Sequence, residues 1–151
     1  MTIIPFSKLG FAKLKQELET VIAKRPLAVE SLKRGREMGD LSENGLYKAA
    51  KMELGDIDRQ IRHLKNLIQY GKVFEPKDNN SIQLGHAIVV ETENGKKEFA
   101  IVGEWEANPR ENRISHKSPI GHNLMGRQVG ETIEITTPQR KIKYKILKIE
   151  S

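Results

Sequence analysis

Two acids three residues apart, Asp40 and Glu43, lie in the run Arg36-Glu37-Met38-Gly39-Asp40-Leu41-Ser42-Glu43-Asn44, with cations on either side at Lys33, Arg34, Arg36, Lys48 and Lys51. Such a pair suits a hard cation, because magnesium keeps several waters and commonly takes one or two protein carboxylates together with phosphate oxygens. Alone it would bind metal poorly, so its natural use is to complete a shell that another macromolecule supplies. The neighbouring cations would hold a phosphate backbone by Coulomb attraction. Each part also has a plainer reading. Asp-x-x-Glu is a variant capping box, with Asp40 or Ser42 accepting from orphan amides at a helix start, and a charged helix flank is most often simply solvated. On spacing alone the plainer readings are favoured. Acids beyond a basic collar are more specific than either part.

Other chemistries find little support. The histidines, His63, His86, His116 and His122, are scattered, with no pair at helical ligand spacing. The chain has no cysteine, hence no disulfide and no thiolate, in keeping with a reducing cytoplasm. No phosphate-binding glycine loop, dinucleotide fingerprint or G-x-S-x-G elbow is present.

The elements that must position the acids are legible in the apolar pattern. Phe11, Leu14, Leu18, Val21, Arg25, Ala28 and Leu32 recur at alternating steps of three and four, and so do Tyr47, Ala50, Leu54, Ile57, Ile61, Leu64 and Ile68. Between the two series stands Gly39-Asp40-Leu41-Ser42. An antiparallel pairing sets Phe11 against Ile68 and Leu32 against Ala50 or Tyr47, centred near residue 40, and arms of this length reach roughly 45 Å. Ser7 reads as the N-cap of the first helix, Pro26 predicts a kink or break within it, and Gly71 ends the second.

Beyond Pro76 and the polar run Lys77-Asp78-Asn79-Asn80-Ser81, the period becomes two. Strands are expected over 86–92 and 97–103, joined through Glu93-Asn94-Gly95, and over 131–137 and 140–150. Ile114-Ser115 reads as a short strand and 119–125 as a short helix with Pro119 in its first turn. The fold class is therefore α+β: an antiparallel coiled-coil hairpin over 1–75, a linker over 76–82, and a small antiparallel sheet with one short helix over 83–151. A net charge of +6, with the cation excess mostly in the first 70 residues, favours nucleic acid or an acidic protein surface as partner. No apolar run approaches the roughly 20 residues of a membrane span, and no leader pattern opens the chain. A cytoplasmic protein with no membrane partner is expected.

Gly39-Asp40-Leu41-Ser42-Glu43-Asn44, followed by Tyr47 and Ala49-Ala50-Lys51, resembles the tip signature of the Gre transcript cleavage factors. Lys24-Arg25-Pro26, Ile101-Val102-Gly103-Glu104 with Glu106-Ala107, and Ser115-x-x-Ser118-Pro119-Ile120 through Gly126-x-x-Val129-Gly130 are also similar to the GreA type, so the resemblance spans nearly the whole chain. It implies a coiled coil that enters the secondary channel of bacterial RNA polymerase and an FKBP-like C-terminal domain that docks outside. The factor would stimulate the polymerase's own Mg-dependent cleavage of backtracked RNA and would not itself be an enzyme. By the same resemblance Asp40 and Glu43 are the catalytic acids, sharing a Mg2+ supplied in the polymerase active site, with no tightly bound cofactor. Arg36 and Lys51 would contact the nascent RNA 3′ segment, Ser118 and Pro119 would dock on polymerase, and the protein would act as a monomer.

One departure stands out. Tips of the GreA type usually carry alanine and an acid before the tyrosine, where this chain has Gly45-Leu46. That motivates an alternative, a channel-binding regulator that does not promote cleavage. The implied fold also raises prolyl isomerase activity, but the C-terminal part offers only Phe74, Phe99, Trp105 and Tyr144 to line an aromatic pocket.

Overall fold

The computed structural model describes residues 2–39 and 44–151. It forms two compact units, Ala12–Tyr70 and a second that joins Met1–Phe11 to Gly71–Ser151.

The first unit is built from helix α1 (Lys8–Arg36) and helix α2 (Gly45–Tyr70). The apolar stripes read from the sequence turn inward: Leu14, Val21 and Ala28 are buried on α1, and Ala50, Ile57, Leu64 and Leu67 on α2. Leu67 lies outside the expected series, because a helix of 3.6 residues per turn drifts against a strict seven-residue repeat. Arg25, the polar member of the first stripe, is spent on a cross-helix ion pair, its Nε donating to Asp58 Oδ1 at 2.7 Å. The hydrogen bond holds the Asp58 carboxyl below its ordinary range and the guanidinium above its own. Gly35 lies opposite Tyr47, where a Cβ would stand 2.9 Å from the tyrosine Cα. The pairs 25/58 and 35/47 run antiparallel and are both centred on residues 40–43. Of the kink or break expected at Pro26, the break does not occur: α1 continues through this residue, which is exposed.

The start of α1 is anchored in the other unit. Ser7 is its N-cap, as expected, its Oγ accepting from the Gly10 amide at 3.1 Å. Just before it, strand β1 (Ile4–Phe6) pairs in parallel with β2 (Gly71–Val73), the three residues that follow α2. Neither strand carries a local signal, and the pairing joins segments distant in sequence.

The rest of this unit is a five-stranded sheet in the order β5-β4-β3-β7-β6, from β3 (Ala87–Thr92), β4 (Gly95–Val102), β5 (Arg113–Ser115), β6 (Thr132–Thr136) and β7 (Lys141–Glu150). The β3–β4 hairpin turns at Glu93-Asn94, with Gly95 at φ +107° opposite Thr92, as the Asn-Gly dipeptide predicts. Apolar residues at every second position of β6 and β7 face inward; Ile133, Ile135, Tyr144 and Ile146 are buried with Ile88, Val90, Phe99 and Ile101. Helix α3 (Pro119–Leu124) adds Leu124, fully buried, to that core. The α+β class with a helical hairpin, a sheet and one short helix holds, with β4–β5 a parallel addition to an otherwise antiparallel sheet.

Candidate functional site at the α1–α2 turn

Asp40 and Glu43, with Leu41 and Ser42, lie outside the described residues. What the structure defines is the frame on either side. The chain leaves α1 through a turn at Glu37 and Met38, whose amides donate to the carbonyls of Lys33 and Gly35, and reaches Gly39 at φ +105°, a left-handed exit that glycine adopts freely. It enters α2 through Asn44. The Asn44 Oδ1 accepts from the Tyr47 amide at 3.1 Å, and its Nδ2 donates to the Gly35 carbonyl at 2.6 Å. One side chain therefore caps α2 and ties it to the last turn of α1. Asn44 was missed as a cap although asparagine is a preferred N-cap, and the capping box read at Asp40 or Ser42 lies outside the described residues.

Around this closure the cations point to solvent. Lys33, Arg34, Arg36, Lys48 and Lys51 are all exposed. Arg34 pairs with Glu30 one turn earlier at 2.7 Å. Among the described residues, Lys33, Arg36, Lys48 and Lys51 have no ion-pair partner, so their charge is available to an incoming anion. Three apolar side chains share the region, Met38, Leu46 and Met52, each more than 60% exposed. Gly45 opens α2, and a Cβ there would meet nothing within 4 Å.

Ser118 and Pro119 belong to the other unit, where they open α3. Ser118 Oγ accepts from the Gly121 amide at 3.1 Å and donates to the Ser115 carbonyl at 2.7 Å, while Pro119 is exposed at the first helical position. The local capping role is real, and the outward ring is compatible with a contact. Phe99 and Tyr144 pack edge to face with ring centroids 6.1 Å apart inside the core, and Trp105 is exposed.

A buried polar hub near the start of α1 escaped the sequence reading. The Glu106 side chain, 3% exposed, accepts from the Ser7 amide at 2.8 Å, the Ser7 hydroxyl, the Gly103 amide at 2.9 Å and Arg113 Nη2 at 3.2 Å. His86 is likewise buried; its Nδ1 accepts from the Gln83 amide and its Nε2 faces Asn79 Oδ1 at 3.0 Å, and burial lowers its pKa. Among the described residues, no cluster of three or more His, Asp or Glu could hold a metal ion.

The family description "Transcription elongation factor, N-terminal" matches residues 4–73, and "Transcription elongation factor, GreA/GreB, C-term" matches residues 77–151. The chain belongs to the GreA/GreB family of transcription elongation factors. Transcription elongation factor GreA of Thermosipho melanesiensis is 40% identical over 151 residues, covering 98% of this chain and 97% of that protein. The GreA of Caldanaerobacter subterraneus is 41% identical over 145 residues, covering 93% and 92%. Among solved structures, the GreA factor homolog 1 (Gfh1) protein of Thermus thermophilus aligns over 99% of both chains at 25% identity with a TM-score of 0.46. Membership in the GreA/GreB family makes the chain a factor that acts with RNA polymerase in transcription elongation. No described helix is long and apolar enough to cross a membrane.

Proposed function

We propose that this GreA/GreB-family chain enters the secondary channel of bacterial RNA polymerase and stimulates the polymerase's own hydrolysis of backtracked RNA, thereby rescuing arrested complexes. The observation that carries the reading is the closure by Asn44. This side chain caps the Tyr47 amide and holds the Gly35 carbonyl, and so pins the two helix ends between which the acids at 40 and 43 stand in sequence. Two carboxylates there, beyond a collar of exposed cations, are accounted for by a ligand that is both metal-bearing and polyanionic.

Asp40 and Glu43 would donate carboxylate oxygens, the donor type that magnesium prefers, to an ion whose remaining ligands belong to polymerase and RNA. Bound there, Mg2+ would lower the pKa of the attacking water and neutralise charge developing on the phosphate. Arg36 and Lys51, exposed on the two helices flanking the turn, would hold the phosphates of the RNA 3′ segment. Ser118 and Pro119, at the head of α3, would form part of the docking surface, and one copy of the chain would serve one polymerase. The chain supplies ligands and position; the hydrolytic activity is the polymerase's.

The experiment is RNA cleavage in stalled, backtracked complexes with the native chain, Asp40→Ala and Glu43→Ala. Either substitution abolishes stimulated cleavage while leaving polymerase binding intact. Unchanged cleavage by both variants ends the assignment. A second reading, binding without stimulation, is favoured by Gly45-Leu46, since Leu46 places an exposed apolar side chain beside the turn. It predicts that the native chain binds and inhibits elongation while releasing no RNA fragment.

A further inference from the structure

We propose that a depression between α1 and α2, beside the turn, seats one unpaired base of the RNA 3′ segment and discriminates among bases by their amino groups. The proposal rests on the cleavage-factor reading and adds a base-contacting site to it. The depression has a volume of about 340 Å³, within the roughly 300–1,000 Å³ typical of small-molecule sites. Its origin is local. Gly35 lets the helices close to a separation that a Cβ would obstruct, and the small side chains of Ala49 and Ala50 leave a shallow floor next to that approach. Met38 on α1 and Leu46 on α2 line it while 64% and 61% exposed.

Two apolar side chains held open to water invite a flat apolar face, and a thioether makes favourable contacts with aromatic rings. The charge around them selects which ring. Arg34 lines the depression, and Lys33, Arg36, Lys48 and Lys51 lie on the same stretches of the two helices, so an aromatic group carried on a polyanion is favoured over a neutral one. Glu53 is the acidic side chain in the lining. A carboxylate accepts a hydrogen bond from the exocyclic amino group of cytosine, whereas the equivalent edge of uracil presents a carbonyl oxygen that it repels. The site should therefore prefer cytosine to uracil.

Backtracked complexes whose extruded RNA is uniformly cytosine or uniformly uracil, titrated with the full chain, test this through the factor concentration giving half-maximal cleavage. Uracil requires more factor than cytosine, and Glu53→Gln removes the difference. Leu46→Ala raises the concentration needed with cytosine about five-fold, the loss of roughly 40 Å² of apolar contact, with cleavage at saturating factor unchanged. Asp40→Ala, run alongside, separates the two levels. Abolished cleavage in Asp40→Ala with no effect of Leu46→Ala or Glu53→Gln sinks the base site and spares the acids. Unchanged cleavage in Asp40→Ala, or none with the native chain, removes the reading beneath it. An equal loss of binding by Leu46→Ala to polymerase carrying no extruded RNA assigns the facet to protein contact and also overturns the proposal.

Discussion

Gly10→Ala sets two physical effects of opposite sign against each other. Gly10 lies in the first turn of α1, and alanine is the better helix former by about 1 kcal/mol in a helix interior, so propensity predicts stabilisation. Sterics predict the reverse. A Cβ at Gly10 would stand 1.6 Å from Glu106 Oε1 and 2.2 Å from Cδ. A surface carboxylate would swing aside at little cost. This one is 3% exposed and accepts from Ser7, Gly103 and Arg113, whose own side chain is 15% exposed. Displacing it breaks a buried, charge-assisted network, which costs about 3–5 kcal/mol by analogy with buried pairs that lose one partner. Sterics win, and Gly10→Ala should destabilise this unit by about 2–4 kcal/mol after the propensity gain is subtracted. The sole tryptophan, Trp105, is in the same unit, so urea unfolding followed by its fluorescence reports on the right transition. In a Glu106→Ala background the alanine meets no carboxylate, and the cost of Gly10→Ala should fall by about 2 kcal/mol or more, a direct measure of coupling. As a control, Gly55→Ala on α2, where a Cβ would only touch Arg59 Nη1 at 3.5 Å, should stabilise the helix by up to about 1 kcal/mol. Stabilisation by Gly10→Ala equal to that control would refute the argument.

Removing the closure with Asn44→Ala should cost the hairpin about 1–2 kcal/mol, from a lost N-cap and an unsatisfied Gly35 carbonyl, and speed amide exchange at Tyr47; protection at Tyr47 as in the native chain would count against it. His86 should titrate below 6.5 by NMR, because burial disfavours its cation. The unfolded state then binds the proton more tightly, so the stabilisation from the neutral ring is complete above pH 6.5 and is lost as pH falls through the folded value; a flat profile across that window would contradict the buried neutral ring. Asp58 has its pKa lowered by Arg25, so its contribution is present above the ordinary value of 3.8 and is lost as pH falls through the lower folded one. Asp58→Asn should therefore weaken the acid dependence of helix melting below about pH 4, measured by circular dichroism, by the small amount expected of an exposed pair.

Much of this architecture was legible because it is written in local patterns. Period-3.5 stripes gave the antiparallel hairpin, although the observed pairs 25/58 and 35/47 lie about one turn off the expected pairing of Phe11 with Ile68; serine before a helix gave the cap at Ser7, and Asn94-Gly95 gave the sheet's first turn. What escaped depends on partners remote in sequence. β1 and β2 are three residues each and become strands only by meeting each other, and β5 is recognisable as a parallel neighbour of β4 only once folded. Glu106 reads as an ordinary surface acid until Ser7, 99 residues away, and Arg113 converge on it. At the candidate site the exposed cations flanking the turn were legible, whereas the cap supplied by Asn44 was not. Asn44 shows its part only in the fold, because its hydrogen bonds to Tyr47 and Gly35 join two helix ends that the sequence does not place together.

The central claim is that this chain brings ligands to a metal ion it does not own. Its most direct test is the Mg2+ concentration at half-maximal RNA cleavage in backtracked polymerase complexes, measured without factor, with the native chain, and with an Asp40→Ala, Glu43→Ala double variant. The native chain should lower that concentration, and the double variant should return it to the value of polymerase alone while still competing with the native chain for binding. A requirement for Mg2+ that is the same in all three would contradict the account.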